Sequence, residues 1–217
     1  MQMGACTTPP NLCIVSEYVS KGPLFKVLHK SKDRDQLSTE RKIRIALDAA
    51  KGIHYLHTCR PPIIHGDLKS PNLLLDKNDV VKVCDFGLSR VKVASKLSVA
   101  SKMGTPEWTA PEVLKSESCS EASDAYSFGV VLWELLTGRV PWADKTPMQV
   151  VLSVGLNHER LPIPENASRR LQGLLAGCFG NPQERPNFDQ IIHTLKVELR
   201  EVIRITEEAN NMTTRVE

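Results

Sequence analysis

The chain has 217 residues, 28 of them basic and 25 acidic, for a formal charge of +3 at neutral pH. That length suits one domain with a full core, and the near balance of charge excludes a global field that would draw nucleic acid or anionic lipid. Nothing in the composition suggests a membrane span, and the first residues lack the charged segment and apolar stretch of a signal peptide. Six cysteines, at positions 6, 13, 59, 84, 119 and 178, form no C-x-x-C pair. They fall mostly in apolar runs, so reduced, packed thiols and a cytoplasmic setting are expected.

Residues 11–19 (NLCIVSEYV) form an apolar run between Pro9-Pro10 and Lys21-Gly22-Pro23. This pattern predicts a buried strand at the end of a sheet whose other strands are missing, followed by a turn. A short helix is expected from Pro23 to about His29, then a charged loop over 31–36. Ile45, Ala49, Ile53 and Leu56 recur at helical spacing, which predicts a long amphipathic helix over 39–58. Leu73-Leu74-Leu75 and Val80-Val81-Lys82-Val83 flank Asp76-Lys77-Asn78-Asp79, an apolar, turn, apolar pattern that predicts a small hairpin. Such a hairpin brings Asn72 and Asp85 to the same end.

Residues 87–111 are rich in serine and lysine without a period and read as a long loop. Residues 125–137 are apolar nearly all round and close at Gly138, so a buried helix is expected there with Asp124 at its start. Further helices are expected over 147–156, 167–178 and 188 to about 205. In the last of these Ile191, Leu195, Leu199 and Val202 line one face, and 206–217 reads as a flexible tail.

The chemistry-bearing segment is His65-Gly66-Asp67-Leu68-Lys69-Ser70-Pro71-Asn72, with Asp85-Phe86-Gly87 downstream. Two acids, an amide and a lysine at that spacing are the parts needed to hold a metal-bound triphosphate and aim a hydroxyl at it. The pair resembles the catalytic loop H-R-D-L-x-x-x-N and the D-F-G triplet of eukaryotic protein kinases. Gly66 stands where that family has arginine. Ala110-Pro111-Glu112 and the run from Ser127 to Leu135 extend the resemblance over nearly the whole chain, and the flavour is that of the tyrosine kinase-like group, the Raf-like and mixed-lineage kinases.

The resemblance implies a mainly α fold. It would be a protein kinase-like C-terminal lobe over 23–205, with a residual strand and hinge of the N-lobe over 1–22 and a small catalytic-loop hairpin. The catalytic loop would be 65–72 and the activation segment 85–112. It implies that Asp67 accepts the proton of a substrate hydroxyl, that Lys69 steadies the transferring phosphate, and that Asn72 and Asp85 hold Mg²⁺. Ser16 would border the adenine of ATP, backbone groups of Glu17 and Val19 would bond the base, and Leu74 would floor it. Structural duties fall to His65 beneath Phe86, to a buried Glu112–Arg185 ion pair, and to Asp124, which would take amide hydrogen bonds from the catalytic loop. An ordinary N-cap is the plainer reading of Asp124. His54 and His57 share a helix face and, lacking a third ligand, read as structural.

Asp67-Leu68-Lys69 has the form found in serine/threonine kinases, so the implied acceptor is a protein serine or threonine. Ser89, Ser95, Ser98, Ser101 and Thr105 lie where kinases are often phosphorylated, but Gly66 removes the arginine that would receive such a phosphate. No glycine-rich loop, strand lysine or paired helix glutamate precedes the motifs within these residues. The expectation is therefore a kinase function by family with little turnover by this polypeptide as a truncated chain. A catalytically dead scaffold that binds partners is the competing reading. Nothing in the sequence sets an oligomeric state.

Overall fold

A computed structural model describes residues 2–30, 37–85, 90–91 and 105–213. The expected loop at 31–36, the triplet residues Phe86 and Gly87, and Ser89, Ser95, Ser98 and Ser101 lie outside the described residues.

Two helices carry the body. Helix α2 (Thr39–Thr58) starts where the Ser38 hydroxyl accepts from the Arg41 amide at 3.2 Å, which satisfies one orphan donor of its first turn. Its apolar face, from Ile43 to Leu56, is buried. Helix α4 (Glu121–Thr137) is buried from Ser123 to Leu135, and Gly138 ends it with φ at 64°, a left-handed position that glycine enters without a Cβ clash. Its fully buried Phe128, Leu132 and Leu135 each contribute about 1.5–3 kcal/mol of transfer free energy.

Around these pack α1 (Leu24–His29), the short α3 (Pro111–Leu114) and α5 (Pro147–Val150), α6 (Arg169–Phe179) and α7 (Phe188–Thr213). Helix α2 makes its largest contact with α7, while α4 lies against α6 and α2. Cβ atoms are excluded at the α4–α6 crossing: one added at Gly129 would stand 2.6 Å from the Cys178 Cβ. The fold is thus mainly α, as the resemblance implied.

Several boundaries differ from expectation. Helix α4 begins ahead of Asp124, because the Ser123 hydroxyl accepts from the Ser120 amide at 3.1 Å and closes an earlier first turn. Asp124 is therefore inside the helix and is not its N-cap. Helix α7 runs to Thr213, past the expected end near 205, with Arg204 bridging Glu201 and Glu208 along its exposed side. Residues 151–156 continue α5 as a π-type turn.

The sheets are small. Strands β1 (Gln2–Cys6) and β2 (Cys13–Ser16) form an antiparallel hairpin, so the apolar run at 11–19 has a partner strand from its own upstream neighbour. Its burial is corrected as well: Leu12 is 67%, Ile14 71% and Val15 50% exposed, since nothing in the described residues covers the hairpin's faces. Strands β3 (Gly22–Pro23), β5 (Leu73–Leu75) and β6 (Val81–Val83) make a three-stranded sheet in that order, with Leu73 opposite Val83. Strand β4 (Ile63–Ile64) pairs with β7 (Arg90–Val91), which ties the segment ahead of residues 65–72 to the one beyond Asp85. Of the six cysteines only Cys178 is buried and Cys13 is exposed, which corrects the expectation of packed thiols.

Candidate active site

The loop 65–72 sits between the end of α2 and strand β5, and a buried acid from α4 fixes its shape. Asp124, 1% exposed, accepts from the His65 amide at Oδ2 and from the Gly66 amide at Oδ1, each at 2.9 Å. The Nε2 of His57 lies 2.8 Å from the same Oδ2. A carboxylate removed from water needs such partners, and here they are the backbone of the loop itself. Gly66 has φ at 75°, so the loop turns through a conformation that a side-chain-bearing residue rarely adopts. His65 is fully buried, its Nε2 3.2 Å from the Cys84 carbonyl. That contact joins the loop to the residue before Asp85.

Three polar side chains of the loop converge with one from the segment after it. The Nζ of Lys69 lies 2.8 Å from Asp67 Oδ2 and donates to Thr105 Oγ1 at 2.7 Å. The amide nitrogen of Asn72 donates to the Asp67 carbonyl at 2.9 Å and to its Oδ2 at 3.2 Å. Asn72 is buried, and with its nitrogen engaged the amide oxygen is the atom left to face a cation.

Strands β5 and β6 bring the chain just after Cys84 to the same end of the hairpin as Asn72. Their register continues one step further through a bond from the Cys84 amide to the Asn72 carbonyl at 3.0 Å. Asp85 follows, exposed and with φ at 62°, a left-handed backbone for a non-glycine residue. Such positions concentrate at functional sites. An amide oxygen and a carboxylate are hard oxygen donors of the kind Mg²⁺ takes, so the chemistry of these two groups fits that ion.

Glu17 pairs with Lys82 of β6, whose hydrogen bond holds the Glu17 carboxyl below its usual value. The Val19 carbonyl accepts from Gly22 at 3.2 Å, and Lys21 donates to the Leu75 carbonyl, so residues 17–23 are laced onto β5. Leu74, half-buried, is the middle residue of that strand. Ser16, at the end of β2, is exposed.

Glu112 and Arg185 meet in a buried two-pronged pair, 2.7 Å and 2.9 Å, with the guanidinium also over the Tyr126 ring. Burial pushes the Tyr126 phenol up to about 12.

Sequence reasoning missed a further buried acid. Glu134 of α4, 0% exposed, accepts from the Ser70 hydroxyl at 2.7 Å and the Trp108 indole at 3.1 Å, and lies 2.7 Å from His29 Nε2. It thereby joins α1, the loop 65–72 and the segment preceding α3. The signal was present: a single acid within an otherwise apolar helical run has to find partners.

A family profile described as Protein tyrosine and serine/threonine kinase matches residues 1–195. The chain belongs to the protein kinase family. Its relatives include the serine/threonine-protein kinase CTR1 of Arabidopsis thaliana, 54% identical over 89% of this chain and 24% of that protein. The probable serine/threonine-protein kinase SIS8 of the same plant is 51% identical over 89% of this chain and 19% of its own length. The mitogen-activated protein kinase kinase kinase dlk-1 of Caenorhabditis elegans is 40% identical over 95% of this chain and 22% of its own. The kinase chain thus spans a quarter or less of these relatives. Raf-like and mixed-lineage-like relatives together place it in the tyrosine kinase-like group, with serine/threonine kinases as its named neighbours. Among the described residues of this kinase no helix is long and apolar enough to cross a membrane.

Proposed function

We propose that this chain carries the catalytic-loop half of a serine/threonine kinase that transfers the terminal phosphate of ATP to a protein hydroxyl. The observation that supports this reading most is the cluster of Asp67, Lys69, Asn72 and Thr105 within hydrogen-bond distance of one another, with Asp85 at the end of the same hairpin. Asp67 accepts the proton of the acceptor hydroxyl. Lys69, already between Asp67 and Thr105, shifts onto the transferring phosphate and offsets the charge that develops there. Asn72 and Asp85 hold Mg²⁺, which when bound neutralises the phosphate oxygens. The base of ATP would be bordered by Ser16, bonded by backbone groups of Glu17 and Val19, and floored by Leu74. Glu112, Arg185, His65 and Asp124 hold the loop in place, and 23–205 acts as the catalytic lobe with 1–22 as hinge and edge. The thiols and the absence of a membrane-crossing helix among the described residues suit a cytoplasmic setting.

The polypeptide of 217 residues contains no glycine-rich loop and no lysine strand ahead of its hinge. Phosphoryl transfer depends on positioning the phosphates, so this polypeptide binds MgATP weakly and turns over little. The test is transfer of labelled terminal phosphate to a mixture of serine-, threonine- and tyrosine-containing peptides. Trace transfer confined to serine and threonine, abolished by Asp67→Asn, is expected. Robust transfer refutes the low-turnover claim, and transfer to tyrosine refutes the acceptor class.

A further inference from the structure

The hairpin of β1 and β2 places Cys6 directly opposite Cys13. Residues opposite each other on an antiparallel ladder point their side chains to the same face, with Cα atoms about 4.5–5.5 Å apart. Disulfides span Cα separations of about 4.4–6.8 Å, a range that includes the separation of facing ladder residues. Both sulfurs are thiols here, Cys13 exposed and Cys6 partly so. Cys178, by contrast, is buried, and that burial pushes its thiol up to about 12.

We infer that Cys6 and Cys13 are a dithiol site, modified by glutathione disulfide to an intrachain cross-strand bond. The more exposed Cys13 thiolate attacks one sulfur of glutathione disulfide and expels a glutathione thiolate, leaving a mixed disulfide. The Cys6 thiolate then attacks the Cys13 sulfur and expels the second glutathione. Two protons and two electrons leave the protein, and one glutathione disulfide becomes two glutathiones. The bond is exposed, so reduced glutathione reverses it, the pattern of a redox-responsive pair rather than of a structural cross-link. Its place is the loop end of a hairpin whose other end, Ser16, leads into residues 17–19. A two-stranded hairpin alone is marginally stable, and the link fixes its register.

The first lysine or arginine is Lys21, so trypsin leaves both cysteines on one peptide, and cleavage after Leu12 separates them. The folded chain is equilibrated with reduced and oxidised glutathione, quenched with acid, alkylated and mapped by mass spectrometry. The expected product is a 1–21 peptide lighter by two hydrogens and resistant to alkylation, whose halves stay linked after cutting at Leu12 until reduced. Cys6→Ser traps the glutathione adduct on Cys13 instead. Closure of the mixed disulfide is expected to be at least about tenfold slower in urea, where register no longer holds the thiols together. Separate glutathione adducts on the wild-type cysteines, or closure equally fast in urea, overturn the inference.

Discussion

Replacing Glu112 by glutamine removes one charge from a pair whose side chains are 7% and 1% exposed, Glu112 and Arg185 respectively. The guanidinium keeps the Gly180 and Ala122 carbonyls, at 3.0 Å and 2.8 Å, and the Tyr126 ring at 5.1 Å. None of these neutralises it, and it cannot reach water. Leaving a buried charge uncompensated costs about 3–5 kcal/mol, a large share of a typical domain's stability of about 5–15 kcal/mol. With a urea slope of about 3 kcal/mol per M, the upper end of the usual range for a chain of this length, the unfolding midpoint falls by about 1–1.7 M. Urea titration followed by far-UV circular dichroism reads this directly. Arg185→Met in the Glu112→Gln background recovers part of the loss, because the stranded charge is gone. A drop below about 1 kcal/mol in Glu112→Gln, or full additivity in the double variant, refutes the reasoning.

Glu134→Gln weakens the bonds to Ser70 and Trp108 and unpairs His29, and a loss of about 2–3 kcal/mol with an altered Trp108 near-UV signal is expected. Gly129→Ala drives a methyl against Cys178 and Phe179 at the α4–α6 crossing, costing about 1–3 kcal/mol in thermal or urea unfolding. At Asp79 burial opposes the charge, yet the bonds from Lys21 and Arg41 hold the carboxyl below its ordinary 3.8. A depressed folded-state value means the unfolded chain binds the proton more readily. The stability difference between wild type and Asp79→Asn is therefore full at neutral pH and disappears as pH falls below 3.8 and through the lowered value, as paired urea titrations across pH will show.

The elements that declare themselves in the sequence are those whose burial pattern is set within one segment. Helix α2 follows Ile45, Ala49, Ile53 and Leu56 and spans the expected 39–58, and the β5–β6 hairpin follows its two apolar runs around Asp76-Lys77-Asn78-Asp79. Burial set by distant segments was not legible. Ile14 and Val15 read as core because they are apolar, but which surface covers them is decided elsewhere in space. The start of α4 turned on a Ser120–Ser123 bond that an apolar-period reading overlooks, since both residues look like loop. At the site, Asp67, Asp85 and Asp124 stood out by motif and His57 read as structural, whereas the bonds of Ser70 and Trp108 to Glu134 became visible only once the loop, α4 and the segment before α3 were brought together. Cys6 and Cys13 were likewise two scattered cysteines until the hairpin register paired them.

The central claim is that Asn72 and Asp85 hold a divalent cation beside Asp67. Manganese with ATP, titrated into the isotopically labelled chain, tests it site by site, because the paramagnetic ion broadens only nearby amide resonances in nuclear magnetic resonance spectra. Selective broadening of residues 67–73 and 84–85, reduced by Asp85→Asn while α6 and α7 stay sharp, is the predicted result. Broadening centred elsewhere, or unchanged by Asp85→Asn, contradicts it.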